Sequence, residues 1–182
     1  MINIVKISIK EFEYEIYNKY KKLFPSAERR RWSKIKKSYN EGIERFYKIE
    51  LNEKNIGFIM LEKLENHPYY LEYIGIYDEY QDKGYGTEAM KKLITEIVKE
   101  DGIIVEIEQI TDNNTQAKRR YNFYKNLNFN KSASKYLLCN VLYDTIYYGF
   151  NTTKEELDKI FFDYYIENNS IRKVKKDFII IK

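Results

Sequence analysis

Apolar residues recur in this chain first at every second position and then at every third or fourth, and the alternation of these two periods predicts a mixed fold of strands and helices. Residues 2–7 alternate as a strand does, and residues 10–23 carry Phe12, Ile16, Tyr20 and Leu23 at helical spacing, ending near Phe24-Pro25. Ser26 is placed to cap a second helix running to about Tyr39, with Trp32, Ile35 and Tyr39 on one face. Apolar runs at 46–51 and 56–61, joined by Asn52-Glu53-Lys54-Asn55, read as a hairpin with a four-residue loop. A third run, 70–77, follows the His67-Pro68 break, so three adjacent antiparallel strands are expected.

Helical spacing resumes over 86–100, where Ala89, Leu93, Ile97 and Val98 are spaced to cover a sheet face, and a strand follows at 103–107 after the Asp101-Gly102 turn. Strand, glycine loop, helix and strand together make a right-handed crossover unit. Residues 116–127 read as a further helix leading into Phe129, with strands near 135–142 and 146–150. Thr153-Lys154-Glu155-Glu156 is a capping box that opens a helix to about Glu167, and 177–182 is an extra strand or a tail. No repeat or linker interrupts this order, which predicts one α/β (α+β) domain over residues 1–182.

Composition then narrows the classes of function. A length of 182 residues, 43% hydrophobic and 33% charged, is enough for one buried core. No run approaches the roughly 20 apolar residues of a membrane span, and residues 1–16 acquire acidic side chains before any apolar run develops, unlike a secretory signal. A cytoplasmic protein without membrane contact is expected. One cysteine, Cys139, and one histidine, His67, give no metal-ligand cluster and no internal disulfide, so no metal is expected. Cys139 reads as a packing residue in an apolar strand and His67 as a turn residue.

The net charge of +4 does not call for a polyanionic partner. Two basic clusters, Arg29, Arg30, Arg31, Lys34, Lys36 and Lys37, and Arg172, Lys173, Lys175 and Lys176, read first as solvated surface. A nucleic-acid module built on them and on the interleaved aromatics would bind with a strong salt dependence, and is not the expectation. The nineteen tyrosines share AT-rich codons with the abundant lysine, asparagine and isoleucine.

The informative motif is Gln81-Asp82-Lys83-Gly84-Tyr85-Gly86-Thr87, lying between a strand end and the start of an amphipathic helix. A helix start leaves amide hydrogens unpaired and carries the positive end of the dipole, and glycine lets the backbone come close to a phosphate at positive φ. The spacing is neither Gly-x-Gly-x-x-Gly nor a loop ending Gly-Lys-Ser/Thr, so the dinucleotide and nucleoside-triphosphate motifs are both excluded. Gln-x-x-Gly-x-Gly after Leu-Glu-Tyr-Ile-Gly-Ile-Tyr instead resembles the diphosphate signature of the GNAT acetyltransferases. A second block, Arg120-Tyr121-Asn122-Phe123-Tyr124-Lys125-Asn126-Leu127-Asn128-Phe129, is similar to that family's tyrosine-bearing helix, with Asn128 where a glycine is usual. Asparagine tolerates the left-handed conformation that ends a helix.

The resemblance, spread over residues 71–129, implies acetyl-coenzyme A as co-substrate and a twisted, mostly antiparallel mixed sheet with helices on both faces. It also implies that the fourth and fifth strands splay apart to admit pantetheine. It places the backbone of Ile74, Gly75 and Ile76 beside the pantetheine amides, Gln81 to Thr87 on the diphosphate, and Asn114 on the cofactor, although Asn114 and Ala117 stand about one turn early. Tyr124 becomes the candidate general acid for the leaving thiolate as well as a cofactor contact, with Tyr121 the neighbour most easily confused with it. Glu72, on the strand before the splay, is the candidate base, with an ordered water, Glu106 and Glu108 as alternatives. The acceptor is a primary amine of a small molecule or peptide, its pocket drawn from the first two helices, the loop at 65–70 and the late strands. A homodimer is compatible with this reading. The competing class is a catalytically silent acyl-coenzyme A-binding regulatory or interaction domain, which need not retain Tyr124 or the Gln81–Gly86 loop.

Overall fold

The computed structural model describes residues 1–26, 28–111, 114–138, 141–168 and 178–181. Cys139, the second basic cluster at 172–176, and positions 177 and 182 lie outside them. The chain falls into two compact units, Met1–Glu65 with Leu71–Val98, and Asn66–Tyr70 with Lys99–Lys182.

In the first unit, β1 (Ile2–Ile7) runs into a capping box. Ser8 Oγ accepts the Glu11 amide at 3.3 Å, and Glu11 Oε2 accepts the Ser8 amide at 2.8 Å. The helix that follows is α1 (Ile9–Glu11), a π turn (Phe12–Ile16) and α2 (Tyr17–Leu23), which buries Phe12, Ile16 and Tyr20. The next helix, α3 (Trp32–Asn40), begins six residues after Ser26, with Arg31 at its N-cap position and no side-chain cap. Ser26 is therefore not the cap. The intervening chain is held by tertiary bonds instead: the Arg30 amide donates to the hydroxyls of Tyr20 and Tyr73 at 3.0 and 3.3 Å, and the Tyr73 hydroxyl donates to Glu28 O at 2.6 Å.

Strands β2 (Glu44–Leu51) and β3 (Lys54–Glu62) pair antiparallel through a two-residue turn, not the four-residue loop expected. Asn52 and Glu53 both take positive φ, +49° and +66°, as the tightest hairpins require. Strand β4 (Tyr69–Ile76) completes the neighbour order β1-β2-β3-β4. Two glycines let β3 and β4 approach. A Cβ on Gly57 would lie 2.3 Å from Gly75 O, and one on Gly75 would lie 3.0 Å from both Leu23 Cδ1 and Phe58 Cε1. Under them Phe12 stacks on Phe46 with ring centroids 4.3 Å apart, in a core shared with Ile16, Tyr20, Ile35, Phe58 and Met60. Full burial of such side chains contributes about 1.5–3 kcal/mol each. The unit closes with α4 (Tyr85–Lys92), whose Ala89 and Met90 are buried, and a second π turn, Leu93–Val98.

The second unit opens with a 3₁₀ turn (Lys99–Asp101) and β5 (Ile103–Glu108), followed by α5 (Thr115–Lys125), β6 (Asn130–Leu138), β7 (Val141–Tyr148), α6 (Lys154–Asn168) and β8 (Phe178–Ile181). Its strand order is β5-β7-β6-β8, antiparallel throughout. Tyr69 and Tyr70 pair in parallel with Ile103 and Ile104. Strands expected at 135–142 and 146–150 thus begin five residues earlier. The register shifts between Lys131 and Lys135, and the polar Ser134 is fully buried there, so hydrophobic alternation does not mark the start of β6. The capping box of α6 is present, with the Glu156 amide donating to Thr153 Oγ1 at 3.2 Å and the Thr153 amide to Glu156 Oε2 at 2.9 Å. Among the described residues no helix is long and apolar enough to cross a membrane. The fold is a mixed α/β one, mostly antiparallel with one parallel pair.

Candidate functional site

The glycine loop starts where β4 runs out. The Tyr77 amide makes the last bond to β3, to Ile56 O at 2.9 Å, and a 3₁₀ turn at Asp78–Tyr80 follows. Gln81 ties this turn to the strand, since its Nε2 donates to Ile76 O at 2.9 Å and to Asp78 Oδ1 at 3.2 Å. Asp82 and Gly84 both adopt the left-handed conformation, φ +61° and +81°, and the chain turns through them into α4. Lys83, exposed between the two, donates to Glu79 O at 2.7 Å. Gly84 is the N-cap, so no side-chain cap bonds the start of α4 at Tyr85, Gly86 and Thr87, and a Cβ built on Gly84 meets nothing within 4 Å. A turn of exposed backbone at the positive end of a helix is suited to an anion. The loop from Gln81 to Thr87 thus follows Ile74, Gly75 and Ile76 by way of Tyr77 and the 3₁₀ turn, and Gln81 bonds back to Ile76.

Glu72, two residues before Ile74 on the same face of β4, is held by a guanidinium. Arg30 Nη1 lies 2.5 Å from Glu72 Oε2, 2.6 Å from Glu44 Oε2 and 2.8 Å from Glu62 Oε1. Burial works against the charge of Arg30, but Glu72, Glu62 and Glu44 more than reverse it and hold its pKa above the ordinary value. Burial, and after it the Glu72 charge, push the Glu44 carboxyl well above the usual carboxylate range.

In the second unit Asn114 caps α5. Its Oδ1 accepts the Ala117 amide at 2.9 Å and its Nδ2 donates to Glu108 Oε2 at 2.9 Å, so both ends of the amide are engaged. Tyr124 is buried on α5 between Phe123 and Phe129, at centroid distances of 4.9 and 5.2 Å, and burial raises its pKa, with Arg120 pulling the other way. Its phenol keeps its proton at neutral pH. Tyr121, by contrast, is half-buried and has Lys131 Nζ 5.7 Å from its ring centre. Asn128 takes φ +62°, and the Phe129 amide closes the helix end onto Tyr124 O at 3.2 Å. Glu106 accepts from the Tyr70 hydroxyl at 3.1 Å through Oε2, while its Oε1 is buried with no hydrogen-bond partner. Burial pushes its pKa up to about 7, against the lowering effect of Tyr70 and Tyr165. His67 meets Asp163 at 3.0 Å, so it is a loop anchor on α6.

The model of the acetyltransferase (GNAT) family matches residues 13–129, which include both the glycine loop and the tyrosine helix. The chain belongs to the GNAT acetyltransferase family. No curated protein sequence matches it. Among solved structures, a GNAT-family protein from Bacteroides thetaiotaomicron superposes with a TM-score of 0.73 at 22% identity, over 87% of this chain and 93% of that one. Arabidopsis thaliana NAA60 in complex with acetyl-CoA gives 0.58 at 13% identity, over 81% and 98%. A spermidine N-acetyltransferase chimera of Vibrio cholerae SpeG and hSSAT gives 0.59 at 15% identity, over 80% and 95%. At these identities the likeness is one of fold. The GNAT match ends at Phe129, so β6, β7, α6 and β8 lie beyond it.

Two features of this GNAT chain are not found by motif reading. Arg30 reads as one of a solvated basic triplet, and only its pairing with three strand-borne glutamates reveals it. The environment of Glu106 depends on Tyr70 and Tyr165, far away in sequence. The one available signal for the first is a glutamate at the outer end of each of two apolar strands, Glu44 and Glu62.

Proposed function

We propose that the chain binds acetyl-coenzyme A and transfers its acetyl group directly to a primary amine of a small molecule or peptide. The observation that carries this reading is the uncapped start of α4, reached through two left-handed residues and open on the side of Gly84. Main-chain amides of residues 84–87 hold the diphosphate, with Gly84 admitting it without a side chain and Gln81 keeping the loop fastened to β4. The backbone of Ile74, Gly75 and Ile76 aligns the pantetheine arm. Acetyl-coenzyme A supplies the acetyl group as a thioester.

Tyr124 gives its proton to the leaving sulfur, a role that its raised pKa suits because the phenol is protonated at neutral pH. Asn114 acts as the cap that sets the helix carrying Tyr124. For removal of the amine proton, Glu106 is better supported than Glu72. Its pKa near 7 matches the working pH, whereas Glu72 would first have to leave Arg30. A reducing, cytoplasmic setting belongs to the same reading, on the strength of the single cysteine.

The test is a thiol-release screen of amines, polyamines, amino acids and peptides with acetyl-coenzyme A, joined to calorimetry of coenzyme A binding. Saturable binding with turnover on at least one amine is expected. Absence of coenzyme A binding to the folded protein would sink the proposal.

A further inference from the structure

Three carboxylates from separate strands of the first unit converge on one nitrogen atom of a fourth side chain. Arg30 Nη1 faces Glu44 of β2, Glu62 of β3 and Glu72 of β4 at 2.6, 2.8 and 2.5 Å. Arg30 brings a single positive charge to three carboxylates. Glu44 and Glu62 are also direct partners across the β2–β3 ladder, and both side chains are fully buried. Like charges in that arrangement repel, and buried carboxylates need compensation. The second oxygen of Glu44, Oε1, is itself buried with no hydrogen-bond partner. The carboxylate oxygens of the three residues lie within 4.8 Å of one another, a spacing that a metal ion could use, yet the cation among them is the chain's own guanidinium. Three buried carboxylates beside one cation are accommodated when one of them keeps its own proton.

We propose that the cluster retains one proton at neutral pH, carried by Glu44 as a carboxylic acid, and that this proton latches the segment between α2 and α3 onto the ends of β2, β3 and β4. The titratable and charged groups around it are Arg30 from that segment, Glu62 and Glu72 from the neighbouring strands, Tyr20 from α2 and Tyr73 from β4, with Ser38 of α3 donating to Glu62 at 3.3 Å. Burial, Glu72 and Glu62 all favour the protonated form of Glu44, and Arg30 is the cation that opposes them. Arg30 is also the anchor of its segment, because its amide bonds Tyr20 and Tyr73 while its side chain spans the three glutamates. Loss of the proton puts a third buried negative charge on one cation and loosens that anchor.

The sign of the pH dependence follows. A carboxyl whose folded pKa is raised contributes stability that is fully present below its unfolded value, 4.5, and lost as pH rises through the folded one. Across that window one extra bound proton lowers the folding constant about tenfold per pH unit. Urea unfolding of the full chain from acid to alkaline pH is therefore compared between wild type and Glu44→Gln, in which a neutral amide of the same shape replaces the acid. The variant is expected to fold, to match or exceed wild type at neutral and alkaline pH, and to lose this share of the pH dependence. The infrared carboxylic-acid stretch should be weaker in Glu44→Gln than in wild type. Arg30→Met, which strands three acids without a cation, should be rescued by acid, its stability rising as pH falls. A Glu44→Gln curve parallel to wild type, a variant that unfolds as a broken ion pair would, or an infrared band unchanged by the substitution would each overturn the latch. So would an Arg30→Met protein indifferent to pH.

Discussion

Gly84→Glu separates the phosphate reading from any purely structural role of the loop. Gly84 sits at φ +81°, so any side chain there incurs the left-handed strain of about 1–2 kcal/mol, but a Cβ meets no atom within 4 Å and the fold has room for it. The ligand does not. A carboxylate about 5 Å from a phosphate charge costs roughly 0.8 kcal/mol if fully hydrated and about 3 kcal/mol at the effective dielectric of a protein surface. With two phosphate charges the sum is on the order of 1.5–6 kcal/mol, a weakening of coenzyme A binding from about tenfold to about 10⁴-fold. Calorimetry with coenzyme A, paired with thermal unfolding, reads the two effects separately. Gly84→Ala carries the same backbone strain without the charge and should stay within a few-fold of wild-type affinity. If Gly84→Glu is folded and binds coenzyme A as tightly as wild type does, the helix mouth is not the phosphate site.

Tyr124→Phe should lower turnover on an identified amine by on the order of 10²-fold while leaving coenzyme A affinity unchanged, and undiminished turnover would remove Tyr124 from the chemistry. For Glu106, whose carboxyl titrates at about 7, kcat/KM of wild type should climb as pH rises through that value, and in Glu106→Gln the climb should vanish. The same raised pKa means that Glu106 contributes stability lost as pH rises through about 7, so Glu106→Gln should unfold at a higher temperature than wild type above that pH. Gly57→Ala, whose new Cβ would fall 2.3 Å from Gly75 O, should destabilise the β3–β4 contact by about 3 kcal/mol, and an unchanged melting temperature would show that the strands can part there at little cost.

Local signals in the sequence are legible where local chemistry decides the outcome. The capping box at Thr153 and the strand at residues 2–7 lie where the pattern places them, and the glycine loop sits at a strand-to-helix junction as its spacing requires. Errors cluster where distant groups decide. Ser26 has a cap's chemistry but loses to the bonds that Tyr20 and Tyr73 make with residues 28–30. The hairpin at 52–53 is tighter than its polar stretch implies because Asn52 and Glu53 both accept positive φ, and residues 54 and 55 join β3. Nothing in one-dimensional periodicity announces the π turns, since Phe12, Ile16 and Tyr20 keep an ordinary helical spacing. At the candidate site, the loop and Tyr124 could be picked out by motif. The engagement of Glu72 by Arg30 could not, because it depends on three strands and a connecting segment meeting in space.

The start of α3 carries a practical consequence. Trp32, the sequence's one tryptophan, stands two residues after Arg30, half-buried, with its ring 4.7 Å from that of Tyr17 and 6.3 Å from that of Phe12. Indole emission depends on its immediate surroundings, so any shift of the neighbouring anchor alters the light this protein emits. The molecule thus contains a fluorescent reporter at the segment whose movement matters, needing neither dye nor label.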